Sequence, residues 1–462
     1  MNVYDSHSIA ASLNSLGYKA TSSINSADLI FVNTCTIRAK AEHKAFSFLG
    51  KLYGLKKKKN HLIIGVGGCV AQQEGKKIIK RMPHVDFVIG THSIGHLPNI
   101  IKQMHIKKEH IVNIETDAII PVIKPVADGR LREKITSFVT IMSGCDNFCS
   151  YCVVPYVRGR ESSKNPDNIL QEIECLVKSG VKEVTLLGQN VNSYGNKEGL
   201  CSFSELLKMI NKIEGLKRIR FTTSHPKDLS DDLADCFKNL EKLCNSLHLP
   251  VQSGSNKILK KMNRKYTIDQ YFNKLEKLRK NCAGISITTD IIVGFPEESD
   301  DDFNMTMKLV EKVQFDQLFA FKYSDRPNTP SARLGNKVSE TEKKNRLQKI
   351  LTMQKGITLL KNQALIGSCE LILVEGLSKQ QDKAQLSGVN GKKQWTGRTT
   401  TNKVVNFFMD NDPVCCKKTA RDDTTKCQTA LGKVIPGTMV FVEIENVLPN
   451  CLTGKPIWIE PN

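Results

Sequence analysis

Cys145-Asp146-Asn147-Phe148-Cys149-Ser150-Tyr151-Cys152 sets three thiols in one short loop. Three thiolates leave a cubane iron–sulfur cluster one ligand short. The open iron can then bind a small molecule, so the spacing points to reactive chemistry beyond electron storage. A zinc ion would ask for a fourth ligand, and the loop holds no further Cys or His. Three ordinary buried thiols are the plainer alternative, and the flanking sequence has to decide between them.

Outward from that loop the chain alternates short apolar runs with amphipathic stretches. Six strands are predicted: Phe138–Met142, Glu183–Leu187, Arg218–Phe221, Ser246–Leu249, Ser286–Val293 and Gln317–Phe321. Between them lie helical stretches such as Asn168–Lys178, where Ile169, Leu170, Ile173, Leu176 and Val177 share a face, and Ile268–Leu278. Repeated βα units imply a parallel sheet, and six suggest an incomplete barrel with the Cys loop after its first strand. Polar groups follow the other strands: Gly188-Gln189-Asn190, Ser224-His225, Gln252 and Gly294. Together they outline a nucleoside-sized site in which glycine admits a ligand and amides or hydroxyls orient it.

Two flanking parts differ in rhythm. Before the barrel, Leu29–Val32 and Leu62–Val66 read as buried strands that end at Cys35 and Cys69. In an open parallel sheet those ends face the ligand crevice, so the two thiols could meet there; a small buried hydrophobe is the alternative for each. From about Lys361 the helical rhythm fades. Ser368–Val374, Val404–Phe408 and Val440–Ile444 read as strands of a small β-barrel of the kind that carries RNA. Asp410 to Leu431 reads as an irregular loop of that barrel, with Cys415, Cys416 and Cys427 as spare thiols or, less fittingly, a zinc site. The fold expected is therefore α/β in three parts: an open parallel domain over 1–125, a partial (β/α)6 barrel over 126–360 and a small β-barrel over 361–462.

Composition agrees with a globular protein of several domains. The chain has 462 residues, 40% of them hydrophobic. Leu62 to Ala71, the longest apolar run, is too short to span a bilayer, and the opening residues lack a secretory pattern. A cytoplasmic setting follows, in which the 15 Cys stay reduced and serve as free thiols or metal ligands. Lys and Arg number 67 against 47 Asp and Glu, a surplus of +20 that favours a polyanionic partner, nucleic acid first. Solvated lysines, such as the run Lys56 to Lys59, are the bland reading of the same surplus.

The Cys loop resembles the signature of radical S-adenosylmethionine (SAM) enzymes. Further elements follow the methylthiotransferase pattern in order: Asn33-Thr34-Cys35, Gly68-Cys69-Val70-Ala71-Gln72, Pro155 to Glu161, Leu187 to Val191, His248 to Ser255, Thr289 to Pro296, and Tyr323-Ser324-Asp325-Arg326-Pro327. Within that family, Arg158-Gly159-Arg160-Glu161 and Met1 to Ser6 look most like the MiaB-type branch. The resemblance implies an N-terminal methylthiotransferase domain, a radical SAM partial barrel and a C-terminal RNA-binding TRAM domain.

It also implies a reaction. A methylthio group would be added to C2 of N6-dimethylallyladenosine at position 37 of the tRNA anticodon loop. That C2–H bond is neither acidic nor electrophilic enough for acid–base chemistry, and a radical from reductive SAM cleavage is the available agent. Cys145, Cys149 and Cys152 would hold a 4Fe-4S cluster that binds SAM, with Gly188, Gln189, Asn190, Ser224, His225, Gln252 and Gly294 around the SAM. Cys35 and Cys69 would hold a second 4Fe-4S cluster that presents sulfur. Arg158, Arg160, Glu161 and Arg326 would line the substrate pocket. The implied partners are a tRNA carrying N6-dimethylallyladenosine and a small-protein or other electron donor, with the chain a monomer away from membranes.

In two places the chain departs from the family. The family's second cluster takes three cysteines, the first in a Gly-Cys-Gln-Met-Asn element after an opening strand, whereas this sequence begins at Met1-Asn2. An upstream start that restores that cysteine is the reading favoured here; an absent cluster or a borrowed ligand are the others. Asp325 and Asn328 stand where the family usually has a small residue and Gly, which concerns only local loop geometry. A relative acting on threonylcarbamoyl-adenosine or on a ribosomal-protein aspartate, or a colourless zinc-bearing RNA-binding protein, are the rival readings.

Overall fold

The structure is a computed structural model that describes residues 1–36, 39–107, 109–115, 135–378, 393–409 and 434–460. The expected boundary at 125/126 and the stretch Asp410 to Leu431, with its three cysteines, lie outside the described residues.

The first unit is a parallel four-stranded sheet in the order β1 (Leu29–Thr34), β2 (Ile63–Gly68), β3 (Phe87–Ile89) and β4 (Ile111–Asn113). Helices Asn2–Ser15 and Leu97–Ile106 cover one face, where Ile9, Leu97, Ile100 and Ile101 pack on Phe87 and Ile89; Leu49 and Leu52 of helix Ala39–Lys58 meet Ile64, Val66 and Val88 on the other. A sheet buried on both faces accounts for strands that read as continuous apolar runs. Strand β2 carries Gly65 and Gly67 because side chains there would press into the rings of Phe87 and Phe31.

The central unit has two parallel three-stranded sheets, β5 (Thr136–Thr140), β8 (Glu183–Leu187) and β9 (Arg218–Phe221), then β10 (Ser246–His248), β11 (Ser286–Val293) and β12 (Gln317–Lys322). A bridge from Ile219 to Leu243 joins them into an open barrel. Between β5 and β8 a short ribbon, β6 (Met142–Ser143) with β7 (Ser162–Ser163), flanks the Cys loop. Strand residues alternate. Val139, Val184, Leu186, Ile219, Leu247, Ile287 and Leu318 enter the helix-covered core, whereas Phe138, Thr185, Arg220, Thr222, His248 and Thr288 line a lumen cavity of about 650 Å³.

Residues of the third unit close into a barrel, β13 (Cys369–Leu377), β14 (Lys393–Arg398), β15 (Val404–Met409), β17 (Leu452–Ile459) and β16 (Met439–Val447) in spatial order. Two of these strands, β14 and β17, escape the apolar pattern: Gly, Lys and Pro interrupt them, and their residues are mostly half-exposed. Arg218 donates to the carbonyls of Arg398 and Leu371, and Arg220 to those of Thr399 and Thr400, so this barrel plugs the lower end of the lumen. The expected boundary at Lys361 falls inside helix Glu340–Gln363, because Lys361 pairs with Asp316 of the central unit at 2.6 Å and Ile357 is buried in its core.

Candidate functional site

At the carboxyl end of the first barrel strand the Cys loop is clamped at both sides. Gly144 takes φ +76°, and a side chain there would lie 2.0 Å from the Arg160 carbonyl, so only glycine lets the chain enter the loop. The Cys145 N–H donates to the Gly159 carbonyl at 3.3 Å and the Cys152 N–H to the Cys149 carbonyl at 2.9 Å. Phe148 sits in the left-handed region at φ 46°, a conformation that costs free energy and is held by surrounding bonds. Asn263, itself left-handed at φ 56°, supplies them by donating to the Phe148 carbonyl at 2.9 Å and the Asn147 carbonyl at 3.3 Å. Ser150 adds bonds to the carbonyls of Met262 and Lys261.

The three thiols lie near enough to affect one another's charge. Cys149 is buried, and Cys145 and Cys152 are half-buried. Burial pushes the Cys145 thiol up to about 11 and the Cys152 thiol up to about 12, with Cys149 adding to both. Without metal, Cys145 and Cys152 would therefore stay protonated at neutral pH, and metal binding would have to expel their protons. Among the described residues, no three Cys, His, Asp or Glu side chains converge on a point that would hold a single metal ion. A closed zinc site needs its donors roughly 2.3 Å from one centre, whereas the cysteines of a cubane bind separate irons and stand wider apart. Beneath the loop, Arg264 donates to Cys149 Sγ at 3.5 Å.

Around that loop, at the ends of β8 and β9, buried polar atoms lack partners among the described residues. They are Gln189 Oε1, Asn190 Oδ1, both side-chain polar atoms of Asn192, Ser224 Oγ and His225 Nε2. An orphaned buried polar atom is costly, and such a set within one strand-end region is the mark of a site that awaits a polar ligand. His225 Nδ1 accepts from the Lys227 N–H at 3.1 Å, which leaves Nε2 as the protonated, unpaired donor. Burial, followed by the nearby Arg264 charge, pushes its pKa down to about 2, so the ring is neutral.

A second pair of thiols lies at the ends of β1 and β2. Gly68 at φ +92° packs so tightly on Thr34 that a side chain would lie 2.3 Å from the Thr34 carbonyl, and this close turn carries Cys69 toward Cys35. The thiol of Cys69 is buried and raised by burial, with Cys35 contributing and Arg158 opposing. Arg158 donates to Asp5 Oδ2 at 2.6 Å and also bonds Cys69. Thr91 Oγ1 donates to the Val157 carbonyl at 2.7 Å, and Tyr4 to Glu172 at 3.2 Å, which ties this sheet to the barrel.

Comparison with known proteins gives this geometry a family. Residues 139–310 match the Radical SAM superfamily, and residues 1–90 match a family described as uncharacterized protein family UPF0004. A tRNA-2-methylthio-N(6)-dimethylallyladenosine synthase of Desulfosudis oleivorans is 49% identical over 461 residues, covering 100% of this chain and 95% of the relative. One from Geobacter metallireducens, with the same name, is 47% identical over 98% of this chain and 96% of its own length. This chain belongs to the radical SAM tRNA methylthiotransferases. Among solved structures, the radical SAM methyltransferase TsrM of Kitasatospora setae shares the fold at a TM-score of 0.51 and 13% identity, over 70% of this chain and 66% of that one.

Membership implies a 4Fe-4S cluster and SAM, and the residues present fit both: a loop of three neighbouring thiols, beside strand ends with unpaired polar atoms. Other residues of this methylthiotransferase have mixed surroundings. Arg160 is exposed, pairs with Asp146 at 2.7 Å and covers the Phe148 ring, whereas Glu161 is buried and bonds Ser193. Gln252 is buried and left-handed at φ 71°. Gly188 makes room for Met142, and Gly294 for Lys343. Arg326 is half-buried, and its carbonyl accepts from Thr329; Asn328 beside it adopts φ 65°, which a glycine also would, while Asp325 accepts from Tyr323 at 2.9 Å. Sequence reading missed Asn192, two positions beyond the Gln189-Asn190 pair, and Arg264, whose partner is distant in the chain. No described helix is long and apolar enough to cross a membrane.

Proposed function

We propose that this chain inserts a methylthio group at C2 of N6-dimethylallyladenosine, at position 37 of tRNA, with Cys145, Cys149 and Cys152 as the ligands of the SAM-binding 4Fe-4S cluster. The observation that carries this assignment is the set of unpaired polar atoms of Gln189, Asn190, Asn192, Ser224 and His225 beside the three-thiol loop. When bound there, the cluster supplies the electron that cleaves SAM reductively. His225 Nε2–H would donate to a SAM oxygen or nitrogen, and Asn190, anchored by Asp228 at 2.7 Å, would orient the nucleoside. The buried surroundings exclude water, which protects a radical from quenching.

Support for a nucleoside substrate comes from the lumen below. Its cavity is lined by Phe138, Phe221 and His248, by Val3 of the first unit and by Arg398 of the third, and its size suits a modified base with an apolar tail. An adenosine splayed out of its loop is the form such a cavity accepts. Arg160, Glu161 and Arg326 do not line this cavity and would meet the substrate outside it in this reading, while Arg158 serves the first unit. Cys35 and Cys69 would ligate a second cluster as the sulfur source. A one-electron donor, a monomeric state and a cytoplasmic setting complete the reading. The test is anaerobic incubation of the reconstituted chain with SAM, dithionite and an anticodon stem-loop bearing dimethylallyladenosine. Mass spectrometry should find an added methylthio group; its absence, or its appearance on a threonylcarbamoyl-adenosine stem-loop instead, would defeat the assignment.

A further inference from the structure

Buried cations elsewhere in the molecule touch a carboxylate: Arg158 meets Asp5, Lys164 meets Glu172, Arg220 meets Glu183, and Arg346 meets Glu298, Glu342 and Asp300. Arg218 instead spends its charge on two main-chain carbonyls. Arg264 is different again. It is 7% exposed and, among the described residues, has no carboxylate at ion-pair distance. Its Nε donates to the neutral Tyr266 hydroxyl at 3.0 Å, one terminal nitrogen to the Pro250 carbonyl at 2.7 Å, and the other to Cys149 Sγ at 3.5 Å. A buried guanidinium without an anion carries a desolvation cost that neutral partners offset only in part. The one partner that becomes anionic is the sulfur of Cys149, and it does so when it binds iron.

Local backbone holds that contact in place. Helix Asn256–Lys261 ends at Met262, the left-handed Asn263 turns the chain, and Arg264 follows directly under the loop. Asn263 fastens the loop's carbonyls and Arg264 its sulfur, so two consecutive residues cradle the site.

We propose that Arg264 is a positioning residue of the SAM-cleaving centre: its guanidinium fixes Cys149 and stands as the permanent positive counter-charge of the cluster, raising its reduction potential. This rests on the assignment of that loop as the cluster site. Reduction adds one electron from an external one-electron donor to an already anionic thiolate cluster and breaks no bond. A fixed positive charge in a low-dielectric site favours the product of that step.

The test compares the full-length wild type with Arg264→Gln and Arg264→Lys after anaerobic reconstitution. Iron and sulfide are counted, and a mediated redox titration follows the electron paramagnetic resonance signal that shifts when SAM is added, which singles out this centre. Arg264→Gln should lower the reduced-to-oxidised ratio about tenfold at a given poise, a shift of about 59 mV for one electron, and Arg264→Lys should fall between it and wild type. Equal potentials in all three proteins at full iron content would overturn the proposal. Loss of iron from the Lys and Gln variants alike would also overturn it, because packing rather than charge would then be the role. Wild-type protein that holds the cluster but releases no 5′-deoxyadenosine from SAM would defeat the parent assignment instead, and the potentials would still report on Arg264.

Discussion

The barrel loop and the end of the N-terminal sheet each gather cysteines around a buried arginine, and they do so by different means. Cys145, Cys149 and Cys152 are neighbours in sequence, whereas Cys35 and Cys69 meet because β1 and β2 pair in parallel from Leu29↔Ile63 to Thr34↔Gly68. Each site is entered through a glycine of positive φ, Gly144 or Gly68, that packs against backbone. The electrostatics diverge. Arg158 is neutralised by Asp5 before any metal arrives, and Arg264 is not. One site is thus balanced within the protein, and the other is balanced only when its sulfur carries charge.

That contrast can be broken at its largest difference first. If Cys35 and Cys69 hold the proposed second cluster, Cys69→Ala should abolish methylthio product and remove about four iron atoms per chain, while SAM cleavage at the barrel loop continues; iron analysis with product mass checks both. A variant that keeps its full iron content would remove Cys69 from any metal site. Next in size, Asp5→Asn strips the buried Arg158 of its anion and should cost about 3 kcal/mol in urea unfolding, whereas the paired change Asp5→Leu with Arg158→Met should cost far less. Equal losses would mean that the pair contributes by packing.

Smaller effects sharpen the same comparison. Gly144→Ala forces a side chain onto the Arg160 carbonyl at φ +76° and should cost roughly 1–3 kcal/mol, with iron loading reduced at the barrel loop alone. The most gradual effect, spread over several pH units, is that of His225. Its folded value lies far below the ordinary 6.5, so the neutral ring is favoured by the fold. The unfolded chain binds one more proton below about pH 6.5, and stability should fall as pH drops, by up to about 1.4 kcal/mol per unit from this group. His225→Gln should flatten unfolding free energy against pH in that window; an unchanged slope would mean that His225 does not stay neutral in the fold.

What could be read from sequence follows from how local each feature is. The strands Glu183–Leu187, Arg218–Phe221 and Ser286–Val293 coincide with their apolar runs because their outward residues enter one core. Short β3 and β4 escape the apolar pattern because three-residue strands carry too little of it, and β14 lies outside the predicted strands because Trp395 is its single apolar residue among Lys, Gln, Thr, Gly and Arg. The three-thiol loop is local, so sequence alone proposes it as a ligand set. Arg264 was not, because nothing near Cys149 in sequence announces a partner 115 positions away. Adjacency in sequence groups Arg158 with Arg160. A short helix, Val154–Arg158, ends there, and the turn at Gly159 separates their side chains toward different units.

In the proposed function, the barrel loop with its three thiols over Arg264 is where SAM is cleaved. Release of 5′-deoxyadenosine from anaerobically reconstituted Cys149→Ala protein tests it most directly. None should form above background, while wild type and Cys69→Ala both produce it; sustained release by Cys149→Ala at the wild-type rate would contradict the account.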